Sequence, residues 1–533
     1  MIMAIIVSQI KTSPDRPKEH AIRKAIAALK LSNSEIKTAK LYKTSVDARH
    51  EVMFVSSVYI ELASAGKERT LADKNANVKL YERRELSVSY GSEPLCGNIV
   101  IAGFGPAGMF CALTLCEFGY KPIVLERGAA MDERIAAVDR YQSGGALDPQ
   151  TNVQFGEGGA GTFSDGKLTT RINDPLCSRV LEKLHKFGAP EDILTNAKPH
   201  IGTDKLRGVV KNLRERIIEL GGEVRFLSQL EDVGVNGGRI RSVRANGSDI
   251  DCGALVLAIG HSAHDTFEML LKNGIELVPK PFSVGARIEH LQSDIDRALY
   301  GKFAGHPALP PAEYALSYRE NDRGVYTFCM CPGGFVVASA SSEGSIVTNG
   351  MSYFDRAGIN ANRAVLVSVS SDDFGTEPLS GVDFIRRLET KAFELGARHG
   401  VNGTAPAMMT REFLNGGSAF SLGQVTPTYP LGVEPCDLRK LFPDFISDRL
   451  AEGIRQFERK IRGFSDSDSV LTAVESRTSS PVRIPRSDSG EALSCENLYP
   501  CGEGAGYAGG IMSAAVDGIR TAVRIMEKFS KNS

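Results

Sequence analysis

The chain has no run of 18 apolar residues, so no helix is expected to cross a membrane. Its opening, MIMAIIVSQIK, lacks a basic segment ahead of the apolar run and lacks a small-residue cleavage site. It reads as a strand, not a secretory signal. Net charge is almost absent: 63 Lys and Arg against 64 Asp and Glu leave −1. Such a balance gives no electrostatic footprint for nucleic acid. The ten cysteines are scattered, several inside apolar runs (Cys111, Cys116, Cys252), and form no quartet with metal-site spacing. That is cysteine used as a small hydrophobe in a reducing compartment. No metal is expected, and the cytoplasm is the expected location. Internal repeats and low-complexity runs are also missing.

What is present is a chain of 533 residues, 42% apolar and 24% charged, too long for one core. Residues 1–92 read as a small α/β unit of βαββ type. IMAIIVSQI is a strand, PKEHAIRKAIAALK a helix, and IKTAKLYKTSV and EVMFVSSVYIEL two half-buried strands. This unit carries 16 Lys and Arg against 10 Asp and Glu, so +6. A solvated basic face explains that excess, with docking of an acidic partner or a nucleic acid as the alternative. Residues 93–274 and 471–533 read as two parts of a nucleotide-binding domain, with 275–470 inserted as an α+β substrate domain.

Three places fit G-x-G-x-x-G: Gly103, Gly105 and Gly108; Gly156, Gly158 and Gly161; Gly504, Gly506 and Gly509. Only the first has the full context of a Rossmann half. The buried strand NIVIA precedes it, a helix follows from Pro106 and Ala107, and KPIVLERG supplies the next strand. The helix N-terminus then faces a pyrophosphate. Glu126 lies 23 residues beyond Gly103, placed for ribose hydroxyls, with Arg127 beside it. The second place, FGEGGAGTFSDGK, has glycines at 156, 158, 159 and 161 but no strand before it. Bare backbone there suits a flat aromatic ligand, because any Cβ would hold the ring off. In the third, Gly509-Gly510-Ile511 opens a helix whose N-terminus would favour an anionic ring.

These residues are familiar together. IVIAGFGPAG…VLERG, DCGALVLAIGHSA with Gly260, and LYPCGEGAGYAGGIMSAAVDGI resemble the three FAD motifs of the glutathione-reductase superfamily. Gly502-Glu503 stands where that superfamily carries Gly-Asp. FGEGGAGTFSDGKL, KPFSVGARIEH, TFCMCPGG and VESRTSSPVRIPR resemble a family of bacterial FAD-utilising dehydrogenases over about residues 95–533. The resemblance implies non-covalently bound FAD and redox chemistry. After Glu126 no second strand-GxGxxG-helix-strand unit appears, so NAD(P)H, if used, is a transient donor.

Further candidates lie in the same motifs. Thr162, Ser164, Asp165 and Lys167 follow the glycines and are placed for phosphate, ribityl or ring. Arg477, Arg483 and Arg486, in a loop stiffened by Pro481 and Pro485, suggest an anion site. His261 and His264 are acid–base candidates; Arg287 and His290 are candidates to face the cleft. Cys329 and Cys331 form C-x-C, whose plain reading is buried hydrophobe, although a redox relay is conceivable. The expectation is an FAD-dependent oxidoreductase acting on a small or medium-sized, anionic organic substrate. An RNA-modifying flavoprotein, a non-catalytic flavin scaffold and a flavin monooxygenase are the rival readings.

Overall fold

The computed structural model describes residues 4–64, 66–82, 85–320, 323–397, 403–465 and 468–531. Met1, the first two residues of the expected opening strand (Ile2 and Met3), and Arg83 and Arg84 of the basic unit lie outside these ranges. No helix among the described residues is long and apolar enough to cross a membrane.

The N-terminal sheet is antiparallel, in the order Ile36–Asp47, Met53–Leu62, Ala4–Thr12, Val78–Tyr81. Alternate residues of Met53–Leu62 are buried, as a sheet with one covered face requires. Ile5, Val7, Val58 and Ile60 pack there against Ala21 and Ala25 of the helix His20–Ala28. The unit is therefore βαββαβ, not βαββ. The sequence reading stopped short because the helix Lys67–Lys74 is polar and Val78–Tyr81 is a four-residue edge strand.

Five parallel strands form the second sheet, in the order Glu223–Arg225, Ile123–Leu125, Asn98–Ala102, Ser248–Leu257, Leu498–Pro500. In chain order that is third, second, first, fourth, fifth, a doubly wound arrangement whose switch point lies between the first and fourth strands. Asn98–Ala102 is buried on both faces beyond its first residue, which is why it reads as one apolar run. The helix Pro106–Glu117 packs against Ile511–Lys528; a Cβ on Gly518 would sit 2.1 Å from the Ala107 carbonyl oxygen. The hairpin Leu230–Asn236 and Arg239–Ala245 continues antiparallel from the first half of Ser248–Leu257.

A third, mixed sheet of seven strands has the order Ser317–Glu320, Arg323–Cys331, Asn360–Val369, Phe282–Leu291, Val470–Glu475, Ala405–Met409, Val433–Pro435. Val470–Glu475 is central in this sheet, so the inserted unit runs past the boundary at 470 read from sequence. The chain crosses between the two units on paired strands, Val278–Pro279 and Val482–Arg483.

Candidate flavin site

The loops after Ala102, Leu257 and Pro500 leave the parallel sheet at its carboxyl edge, where doubly wound sheets bind ligands. Gly103 has φ of 101°, and a Cβ there would lie 2.3 Å from the Ala258 carbonyl oxygen. Gly108 lets helix meet strand: a Cβ would lie 2.0 Å from the Gly103 oxygen. Gly105 caps the helix Pro106–Glu117 with no side chain serving its N–H groups. Only the Gly159 Cα, at 3.8 Å, approaches where a Gly105 Cβ would be. Glu126 is buried and accepts from Phe104 N at 2.8 Å and from Gly128 N and Gly156 N at 2.9 Å. Arg127 is held by Asp265, at 2.9 and 3.1 Å, and lies over the Phe155 ring.

The glycines at 156–161 answer to protein rather than to a flat ligand. A Cβ on Gly156 would meet Arg134 Cδ at 2.4 Å, on Gly158 the Thr162 hydroxyl at 2.1 Å, on Gly159 the Gly105 Cα at 2.9 Å, and on Gly161 the Ile511 side chain at 3.0 Å. This segment is a wedge joining the first and third motifs. Its organiser is Arg134, which the sequence reading missed. Fully buried, it donates to the carbonyls of Asn152, Val153, Glu157 and Gly159 at 2.6–3.0 Å. Burial pulls its pKa down to about 9. An arginine within the polar helix Met131–Gln142 gives no sequence signal of such burial. Thr162 is fully buried and its carbonyl accepts from Thr203; Ser164 Oγ closes a turn onto the Gly161 carbonyl at 2.6 Å. Both brace the loop from within.

Open backbone lies elsewhere. At Gly260, Gly509 and Gly510 a Cβ would meet nothing within 4 Å. Gly510 caps the helix Ile511–Lys528 and, like Gly105, brings no capping side chain of its own. Gly502 is occupied structurally: its N–H donates to Asp517 at 2.8 Å, and Asp517 also holds Arg486. Glu503 lies in this open region, and burial pushes its pKa up to about 7 against the opposing Gly510 N–H and Lys280. His261 Nδ1 is 3.8 Å from Glu503 Oε1, while its Nε2 is buried without a hydrogen bond. Burial, then Arg477, lower the His261 pKa to about 3, so the ring is neutral. His264 is buried and likewise pushed well down. Lys167 Nζ is buried 3.5 Å from Asp165 and makes no hydrogen bond. Burial works against its charge, but Asp165 and the Cys331 and Cys329 sulfurs outweigh it and raise its pKa.

The expected arginine cluster divides. Arg477 is buried in a bidentate pair with Glu389, and Arg486 is committed to Asp517. Neither is an open anion site. Arg483 is exposed, over the Tyr507 ring at 5.2 Å, and lies on the strand beside Val278, two residues before Lys280. Arg287 is fully buried and paired with Glu475 at 2.6 Å; His290 Nε2 donates to the Phe464 carbonyl at 2.7 Å, deep in the third sheet. Neither faces open space. All ten cysteines are free, and Cys329 is only half-buried.

Residues 281–478 match the model of a family described as FAD-dependent protein, C-terminal domain-like. A Clostridium beijerinckii protein, described only as uncharacterized, is 47% identical over 537 residues, 99% of each chain. The chain belongs to this FAD-dependent protein family. Among solved structures it is similar to CtdE in complex with FAD (13% identity, 80% of this chain and 84% of that one, TM-score 0.30) and to glycine oxidase from Bacillus cereus (10% identity, 80% and 97%, TM-score 0.33). FAD is the family's cofactor, and the residues fit it. Uncapped helix ends at Gly105 and Gly510 offer free N–H groups to phosphates and ring. The open glycines Gly260, Gly509 and Gly510 leave room, and buried Lys167 Nζ and His261 Nε2 lack partners that a polar ligand would supply.

Proposed function

We propose that this FAD-dependent protein is an oxidoreductase that passes a hydride or electrons between FAD and an anionic organic substrate, within the glutathione-reductase-type flavoproteins. The observation that carries the reading is the open backbone at Gly260 and Gly510, with the buried, hydrogen-bond-free Nζ of Lys167 and Nε2 of His261, and Glu503 between His261 and the Gly510 N–H. FAD supplies the electron chemistry when bound. The chain's own groups bind and move protons. The N–H groups after Gly510 favour negative charge. Glu503, poised near neutrality, holds or releases a proton at Oε1, with neutral His261 beside it.

Anion recognition falls to Lys280 and Arg483 at the crossing strands. Burial, then the nearby Arg483 charge, lower the Lys280 pKa. Two cations held close gain from an anion between them. A small-molecule substrate is the partner in this reading, with NAD(P)H as a transient donor. The test is an anaerobic spectrum of the purified protein before and after NADH, NADPH or candidate carboxylates, repeated with Arg483→Ala. Bleaching that Arg483→Ala shifts to about tenfold higher carboxylate concentration is expected. A flavin that nothing but dithionite reduces would overturn the oxidoreductase reading.

A further inference from the structure

We propose that Cys329 and Cys331 form a dithiol–disulfide pair that exchanges two electrons with the bound flavin; this rests on the oxidoreductase reading above.

The geometry is unusual for a C-x-C in a strand. Both residues end the strand Arg323–Cys331, and its pairing with Asn360–Val369 slips between Phe328 and Cys331. Within that bulge Cys329 has φ of 46°, the left-handed region that a residue with a side chain seldom enters. Bulges and such outliers gather where a side chain must be re-aimed. The Cys331 sulfur lies 3.7 Å from the Cys329 carbonyl oxygen. Gly350 makes its room: a Cβ there would lie 2.8 Å from that sulfur. The result is one half-buried and one buried thiol, hydrogen-bonded to each other and within electrostatic reach of Lys167 and Asp165 in the loop that follows the second glycine motif.

The surroundings favour a thiolate on the outer one. The charged groups facing it are Lys167, Asp165, Arg287, Glu475, Arg363 and Glu503. Arg287 is neutralised by Glu475, and Asp165 is held bidentate by Arg356 at 2.6 and 3.0 Å. Lys167 Nζ has no hydrogen bond, and Arg363 Nε none either. Lys167 shares Asp165 with Arg356, and Glu313 acts on both Lys167 and Arg363, so cations outnumber carboxylates beside the sulfurs. The hydrogen bond from Cys331 is the largest influence holding the Cys329 pKa well below its ordinary value; Lys167 and Arg287 add to it against burial. Cys331 is held well above and keeps its proton. One thiolate beside one thiol is the form of a redox-active pair. The charge of Cys329 also acts on Glu503, the acid beside the open backbone at Gly510.

The step balances. As the S–S bond forms, the Cys329 thiolate and Cys331 thiol together give up two electrons and the Cys331 proton. Oxidised FAD, when bound, would serve as the acceptor of both electrons and that proton. The reverse step reopens the disulfide. Lys167 neutralises the thiolate in one direction and loses that partner in the other.

The experiment is an anaerobic dithionite titration of the FAD-loaded protein after mild oxidation, followed by alkylation with iodoacetamide and mass spectrometry. Wild type is expected to take about four electrons per flavin, and Cys329→Ser or Cys331→Ser about two. The peptide holding both cysteines should resist alkylation before reduction and accept two groups after it. In flavin-free protein at neutral pH, Cys329 should be alkylated about tenfold faster than exposed Cys96, and Lys167→Gln should remove that advantage. Two electrons per flavin in wild type, with both cysteines alkylated throughout, would sink the pair and leave the flavin reading standing. Absence of any flavin band on adding FAD would bring down both.

Discussion

Arg477 and Glu389 close a bidentate pair inside the protein, Nε to Oε1 and Nη2 to Oε2, each at 2.9 Å. Ser476 Oγ joins the same carboxylate at 2.6 Å, and Arg477 Nη1 reaches Ser341. Breaking one side of a buried pair strands the other charge, at a cost of about 3–5 kcal/mol. Arg477→Ala is therefore expected to lower the unfolding free energy by that amount, seen in urea melts. Substrate affinity should hold in whatever protein remains folded. A variant of normal stability with weakened carboxylate binding would return Arg477 to the anion site.

Gly103 and Gly105 make a matched contrast. At Gly103 a side chain meets both a left-handed φ and the Ala258 carbonyl, so Gly103→Ala is expected to destabilise by at least about 2 kcal/mol. At Gly105 the protein leaves space, with Gly159 Cα 3.8 Å away. Gly105→Val should leave the flavin-free melting curve almost unchanged while FAD affinity drops at least about tenfold, because only the ligand meets the new methyls. Equal losses of stability in both variants would count against a ligand at Gly105.

Much of the flavin half was legible because its signals are local. A buried strand, a glycine turn and a helix lie within NIVIAGFGPAG, and the order of elements follows. What was not legible depends on partners far apart in the chain. Glu389 lies 88 residues from Arg477, and Asp517 31 from Arg486; composition cannot say that those arginines are already spent. The same reason hides Arg134, whose acceptors are backbone carbonyls and so have no sequence identity. The glycines at 156–161 misled in purpose, because a missing Cβ looks alike whether a ligand or Ile511 fills the space. Cys329 departed from strand alternation because a bulge depends on cross-strand register, which a single segment does not encode.

Arg134→Met tests the wedge. The substitution keeps much of the volume but strands the carbonyls of Asn152, Val153, Glu157 and Gly159 in the interior. Each unmet acceptor costs about 1–3 kcal/mol. A loss of more than about 3 kcal/mol is expected, together with loss of bound FAD. Arg134→Lys should not rescue either, since one ammonium cannot span the four carbonyls. Full rescue by lysine would mean that charge, not the fork of donors, organises the loop.

Glu503 gives the fold a pH dependence of known sign. Burial raises its folded pKa from 4.5 to about 7. A raised acid favours folding only while protonated, so its contribution is whole below the unfolded value and is lost as pH climbs through about 7. The loss is at most about 3.5 kcal/mol at some 1.4 kcal/mol per unit. His261, lowered to about 3, slopes the other way: its contribution is present above 6.5 and is lost as pH falls through about 3. The two overlap between their ordinary values, so the wild-type curve alone is ambiguous. Glu503→Gln keeps the shape and removes only the acid. In flavin-free protein, stability of wild type minus that of the variant should fall between pH 4.5 and 7.5 and be flat on either side. A constant difference across that window would mean that Glu503 ionises as it does in water, and would remove it as the proton-holding group beside the flavin.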